Sequence, residues 1–231
     1  MNKERPAYWY PLPFTSVTTL QKFEACPISF FFDYYCKVKW KPNDKMLVGT
    51  LFQNALNKKY AGEDYFKIIK SIDNKYKDTA EKLIKEANNF DEIISIDKPY
   101  IIDFGLDVPI RFSPDLLTKQ FVIENKFTGG YYNPKMVQKQ RQGTTYYHGV
   151  KKQFGFEPII KYQIFDHKLK TVSLIEVKKT QQDVDEMLEW MKHTLSIIKK
   201  CYNSGIWQIK QHGFYPCELG KACPIKYGFR R

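Results

Sequence analysis

No run of about 20 consecutive apolar residues occurs, so the chain offers no transmembrane span. The opening "MNKERPAYWYPLPF" has an early basic pair but neither a continuous apolar segment nor a small-residue cleavage site. No secretory signal is expected, and the protein reads as intracellular and cytoplasmic. A Walker loop, a Rossmann glycine pattern, a nucleophile elbow and a Cys-x-x-Cys pair are all missing. A helicase motor, a dehydrogenase, an elbow-type hydrolase and a zinc ribbon are therefore unsupported. The histidines, His148, His167, His193 and His212, are scattered without His-x-x-x-His ligand spacing. Cysteine is scarce and odd in number: Cys26, Cys36, Cys201, Cys217 and Cys223. In a reducing compartment such a set reads as free thiols or metal ligands rather than a disulfide framework. Repeats, low-complexity tracts and convincing linkers are absent as well.

What is present is enough for a core. Of 231 residues, 43% are hydrophobic and 16% aromatic, which places the chain among compact globular proteins rather than disordered ones. Basic side chains outnumber acidic ones 37 to 25, a formal charge of +12. Mixed with Tyr, Phe and Trp, that excess suits a polyanionic partner, although net charge alone also describes a plain basic surface.

The periodicity changes along the chain. Ser16 or Thr15 can cap a first helix, with Val17, Leu20 and Phe23 at helical spacing, and Pro27 interrupts and restarts it. A second helix is expected from about Met46 to Tyr60, and residues 64 to 90 carry one or two amphipathic helices. From about residue 93 short β-rich runs follow, "EIISI", "PYIIDFGLDVPIRF", "PDLL" and "QFVIEN". One helix is expected from Pro134 to Phe154, then a hairpin around "HKLK", then a long helix from about Gln181 to Tyr202 closed by Asn203-Ser204-Gly205. The expected architecture is a single α/β domain: a helical portion over 1–92, a central mixed sheet flanked by helices over 93–180, and a C-terminal helix and tail over 181–231.

The chemistry concentrates in residues 112 to 146. In a strand, residues two apart share a face, so Glu124 and Lys126 point one way and Asn125 the other. If "PDLL" adjoins that strand, Asp115 reaches the same place. Two converging carboxylates form a hard-oxygen site of the kind Mg²⁺ or Mn²⁺ occupies, and the Asn125 carbonyl could add a ligand. Lys126 beside them could orient a water or stabilise developing charge. Alone, a Glu-x-Lys pair is most often a simple salt bridge. The order of surrounding motifs changes that weighting. On the following helix Gln142 and Tyr146 stand four apart on one face, able to hold the lysine, a water or a phosphate without adding charge.

Taken together, "TSVTTLQKFEACPISFFFDYY", "VGTLFQNAL", "SPDLL", "IENK" and "QGTTYY" resemble, in that order, the motifs of the PD-(D/E)XK nuclease superfamily, specifically its RecB-like branch. That branch includes CRISPR-associated RecB-like exonucleases and phage exonucleases. The resemblance runs from about residue 15 to the C-terminus. It implies a restriction-endonuclease-like core and metal-dependent hydrolysis of DNA phosphodiesters. By the same resemblance Asp115 and Glu124 would bind the metal, Lys126 would be the catalytic lysine, and Gln142 and Tyr146 would support it.

Two positions depart from the branch's pattern. Gln53 stands where a metal-binding His is usual, and an amide oxygen is a weaker ligand for a hard cation. Many relatives also hold a 4Fe-4S cluster on one N-terminal and three C-terminal cysteines. Here Cys26, Cys217 and Cys223 fit three of those positions, and the fourth falls in "KYGF". Buried or free thiols are the expected state, with a tail that still folds back against the first helix. DNA binding is expected from Lys135, Lys139 and Arg141, with Lys151 and Lys152, flanked by Tyr131, Tyr132, Tyr146 and Tyr147, an arrangement suited to single strands or frayed ends. The function these features imply is a DNA exonuclease in replication, recombination or end processing, of the kind a phage carries. Partner proteins of those pathways and a homo-oligomer are compatible with it. The alternatives are a catalytically weakened DNA-binding accessory protein, or a restriction-type endonuclease.

Overall fold

The computed structural model describes residues 9–38, 43–130 and 132–208. Cys217 and Cys223 lie outside the described residues, as does Tyr131. The chain divides into two compact units, one within Met1–Lys41, Ile101–Arg111 and Asp185–Arg231, the other within Pro42–Tyr100 and Phe112–Val184.

The first unit is built on aromatic packing. Helix α1 (Val17–Ala25) starts at Ser16, whose hydroxyl accepts from the Thr19 amide, as its residue type favours. The sequence restarts at Pro27, tolerated at the first turn, to give α2 (Pro27–Tyr34). Phe30, fully buried, packs against Phe23 at 5.4 Å and Tyr34 at 4.9 Å between ring centroids. Beyond the last helix the chain returns to this cluster. Trp207 lies 5.0 Å from Phe31 and 5.1 Å from Tyr35, and the Ile28 amide donates to the Gln208 carbonyl. Cys26 is buried at the α1–α2 junction.

In the second unit, α3 (Asp44–Tyr60), α4 (Phe66–Ile69) and α5 (Asn74–Glu86) precede the strands. The strands are β1 (Ile93–Ile96), then β2 (Tyr100–Ile102) and β3 (Ile110–Phe112), which fall mainly within the first unit, and β4 (Leu116–Thr118) and β5 (Phe121–Thr128). Next come α6 (Pro134–Gln138), α7 (Arg141–Phe154), β6 (Ile159–Asp166), β7 (Thr171–Val177) and α8 (Gln181–Ser204), which carries the chain on into the first unit. Five strands form a mixed sheet in the order β1-β4-β5-β6-β7, while β2 and β3 pair separately. All neighbours in the large sheet are antiparallel except β5 and β6. Parallel neighbours require a crossover, and α6 and α7 supply it.

Alternation along β5 and β6 decides which helix each side chain meets. Phe127 packs on Phe52 of α3 at 4.3 Å, and Phe165 of β6 on Phe52 at 4.9 Å. Leu56, Leu83 and Ile84 complete that face. The residues between, Glu124 and Lys126 on β5 and Tyr162 on β6, turn toward α7.

The single helix expected over Pro134–Phe154 is instead two. Gln140 takes an extended conformation (φ −72°, ψ 118°), which breaks the hydrogen-bond ladder. The ammonium of Lys179, buried just after β7, donates to the freed carbonyls of Gln138 and Gln140. A donor forty residues away is outside what local periodicity reports.

Two glycines let α7 approach the sheet. At Gly143 a Cβ would lie 2.6 Å from the Tyr162 hydroxyl, and at Gly149 one would lie 2.4 Å from the Phe112 ring. Gly149→Ala must displace that buried ring, and we expect it to lower unfolding free energy by about 1–3 kcal/mol in urea titration.

Candidate active site

The site forms where β4 and β5 run together. β4 pairs with β5 through Leu116↔Ile123 and Leu117↔Val122, so Asp115, one residue before β4, arrives beside the middle of β5. Asp115 Oδ2 accepts from the Asn125 amide at 2.6 Å. Glu124 is 5% exposed, and both of its oxygens are held. Oε1 accepts from Lys126 Nζ at 2.5 Å and from Gln142 Nε2 at 2.9 Å; Oε2 accepts from the Tyr146 hydroxyl at 2.8 Å. Gln142 Nε2 also reaches the Tyr146 oxygen at 2.6 Å, while its Oε1 accepts from Lys126 at 3.3 Å. Asp115, Glu124, Lys126, Gln142 and Tyr146, all named from the sequence, thus form one connected constellation.

The helix break explains how α7 contributes. Restarting at Arg141 puts Gln142 in the first turn, so the positive end of the helix dipole lies toward Glu124 and favours its negative charge.

The electrostatics follow from burial. Asp115 has its carboxyl pKa pushed well above the usual carboxylate range, first by burial and then by the neighbouring charge of Glu124, against the Asn125 amide and Lys126. Lys126 is pulled toward the neutral amine by burial, yet the charge and hydrogen bond of Glu124, with Asp115, outweigh that and raise its pKa. Lys126 is therefore a firmly protonated ammonium as the site stands, suited to charge stabilisation rather than proton abstraction. Burial, Glu124 and Asp115 likewise raise the Tyr146 phenol, which stays a donor.

The donor set fits a hard divalent cation. Asp115 and Glu124 are oxygen ligands forced into mutual repulsion, which a cation would relieve. Among the described residues no group of three or more His, Cys, Asp or Glu is gathered to hold a metal, so the set would be these two carboxylates completed by carbonyl, water or phosphate oxygens.

The other named residues are placed as follows. The Asn125 side chain points to the opposite face, where its Oδ1 accepts from Gln163 Nε2 at 3.0 Å. The Gln53 amide is turned along α3 and donates to Asn57 at 2.9 Å. Lys135 and Lys139 are exposed on and just after α6, and Arg141 is half-buried at the start of α7. Tyr147 is 6% exposed, so it presents no open face for a base to stack on.

Local reading missed a supporting layer. Gln163, fully buried on β6 in register with Asn125, donates to Tyr60 at 2.6 Å and accepts from the Asn88 amide at 2.8 Å. Asp97 joins from beyond β1: its amide donates to the Asp115 carbonyl and its carboxylate accepts from Ser113. The one sequence signal was an amide inside an otherwise apolar run, "IIKYQIF".

No family model matches the chain, and no curated protein matches it in sequence. Among solved structures, a protein from Eubacterium rectale bearing the provisional name of exonuclease is similar in fold. The TM-score is 0.68 at 12% identity, covering 95% of this chain and 90% of that one. The likeness establishes an α/β fold shared with that protein. Among the described residues no helix is long and apolar enough to cross a membrane.

Two stability outcomes follow from this geometry. Tyr146→Phe leaves Glu124 Oε2 without its donor and should destabilise the protein by about 1–3 kcal/mol. Asp115 holds its proton to higher pH folded than unfolded, so the folded state binds more protons and stability falls as pH rises above about 4. Asp115→Asn should remove that fall and stabilise the protein at neutral pH, as read by urea unfolding in EDTA across a pH series.

Proposed function

We propose that the protein is a divalent-metal-dependent deoxyribonuclease of the PD-(D/E)XK superfamily, in its RecB-like branch, acting as an exonuclease on single-stranded or frayed DNA ends. The observation that carries this reading is the joining of Asp115, Glu124 and Lys126, with Lys126 Nζ 2.5 Å from Glu124 and Asp115 fixed to the intervening Asn125 amide. A fold shared with a protein provisionally named as an exonuclease supports the class of chemistry.

Asp115 and Glu124 would hold Mg²⁺ or Mn²⁺, which when bound supplies Lewis acidity toward a phosphoryl oxygen and a more acidic bound water. Lys126, kept protonated by Glu124, places positive charge where the phosphoryl oxygens gain negative charge. Gln142 positions Lys126 and Glu124 through one bond to each. Tyr146 holds Glu124 from behind and, being neutral, leaves the charge balance to the carboxylates and the lysine. Cytoplasmic action in replication, recombination or end processing belongs to the same proposal.

Gln53 favours a second reading. Its amide is committed to Asn57, which fits a DNA-binding accessory protein on the same fold whose metal site is weak. A 4Fe-4S cluster remains a separate proposal, resting on Cys26 and the two C-terminal cysteines.

Degradation of end-labelled linear DNA decides between the readings. Wild type should lose label in Mg²⁺ or Mn²⁺ and keep it in EDTA, and Lys126→Ala should reduce cleavage by at least about a hundredfold while still binding DNA. No cleavage in either metal, with DNA bound, would select the accessory protein.

A further inference from the structure

The second unit contains a cavity of about 810 Å³ that the proposed chemistry does not use. It opens where β5 ends, at Thr128, Gly129 and Gly130. Lys45 reaches it from the first turn of α3 and Lys75 from the first turn of α5. The turn between β6 and β7 contributes His167, Lys168 and Lys170. Four lysines therefore line one space, and among the described residues lining it there is no carboxylate.

Two acids close in sequence to the lining, Asp73 and Asp166, are committed to backbone. Asp73 Oδ1 accepts from the Lys75 amide at 2.8 Å, and Asp166 Oδ1 accepts from the amides of Lys168 and Leu169 at 2.8 and 2.9 Å. These carboxylates shape the turns that present the lysines, and the cavity's own lining stays one-signed.

One wall is aromatic. Tyr76 meets the His167 ring edge-on at 5.4 Å, and Phe127 meets it at 5.2 Å from the other side. This wall needs Gly129, where a Cβ would lie 2.7 Å from two imidazole atoms and 2.9 Å from Lys168 Cε. Ammonium groups beside ring surface match a phosphate joined to an unpaired base, whereas a small anion would use only the charge. The location adds to the match. Thr128 follows Lys126 by two residues on the same face of β5, about 7 Å at the usual rise of about 3.3 Å per residue, so a single strand crossing the end of β5 can pass from the Lys126 face to the α3 and α5 side, where Phe127 and Tyr76 wall the cavity.

We infer that this cavity holds one nucleotide of single-stranded DNA that has passed over the end of β5 from the face that carries Lys126, its phosphate on Lys168 and Lys170 and its base against Tyr76. The identity of the strand rests on the proposed nuclease reading; the subsite is new to it.

The test is fluorescence anisotropy of an end-labelled oligothymidylate of about ten nucleotides, in EDTA over a salt series, a length that fits single-strand site sizes. Lys168→Glu with Lys170→Glu should weaken binding at least about tenfold and lower the salt slope by about one or more. Tyr76→Ala should weaken it about tenfold with the slope unchanged, because stacking releases no counterions. Lys58→Glu with Lys119→Glu makes the same charge change at the far ends of α3 and β5 and should have a much smaller effect. Where charge reversal unsettles the hairpin, Lys168→Gln with Lys170→Gln should show the same loss at about half the slope change. Equal weakening by the two charge-reversed pairs, or Tyr76→Ala binding like wild type, would overturn the subsite. A wild type that binds with this pattern but cuts nothing in Mg²⁺ or Mn²⁺ ends the nuclease reading and keeps the subsite. A wild type that cuts, with binding and cutting both unmoved by the cavity variants, does the reverse.

Discussion

Two buried carboxylates held against one ammonium constrain more of this fold than any other feature. Asp115 and Glu124 raise the cost of each other's charge, and an ionised carboxylate out of water is tolerated only with donors around it. The donors come from the Asn125 amide, Lys126, Gln142 and Tyr146. Two of them sit on α7, so that helix must start beside the strand. Starting it there requires the break at Gln140, and the break leaves carbonyls that Lys179 satisfies. Close approach then excludes a side chain at Gly143 and Gly149.

The opposite face of the same strands carries a second polar layer. Tyr60 and Gln163 hold the Asn125 side chain and Asn88 holds Gln163, which fixes the strand whose amide grips Asp115. The layer is not fully satisfied: among the described residues, Asn125 Nδ2 is buried without a hydrogen-bond partner. Such a group costs stability, and this one lies on the strand that carries Glu124. Stability and the placement of these polar groups are thus opposed at the centre of the sheet.

Much of the fold was legible locally, since the signals were local. Ser16 as a cap, Pro27 as a restart, the alternation in "QFVIEN" and the three- and four-residue steps of Val184, Met187, Met191 and Leu195 each report on the backbone that contains them. Asp115, Glu124, Lys126, Gln142 and Tyr146 could be named together because strand and helix periods put them on facing surfaces. The break in the crossover helix was not legible, as Lys179 lies far along the chain. Gln163 and Tyr60 were missed for the same reason, each being meaningful only through its partner.

The sequence by itself determined which residues share a face: Glu124 with Lys126 by the period of two, and Gln142 with Tyr146 by the period of 3.6. Only the tertiary structure decided what those faces meet. The parallel pairing of β5 with β6 sets Asn125 beside Gln163, the broken crossover aims Gln142 at Glu124, and the β6–β7 turn brings His167 and its lysines to the end of β5. The physical reason is that periodicity is a property of one segment, whereas burial, repulsion between charges and the volume of a cavity arise between segments that only folding brings together.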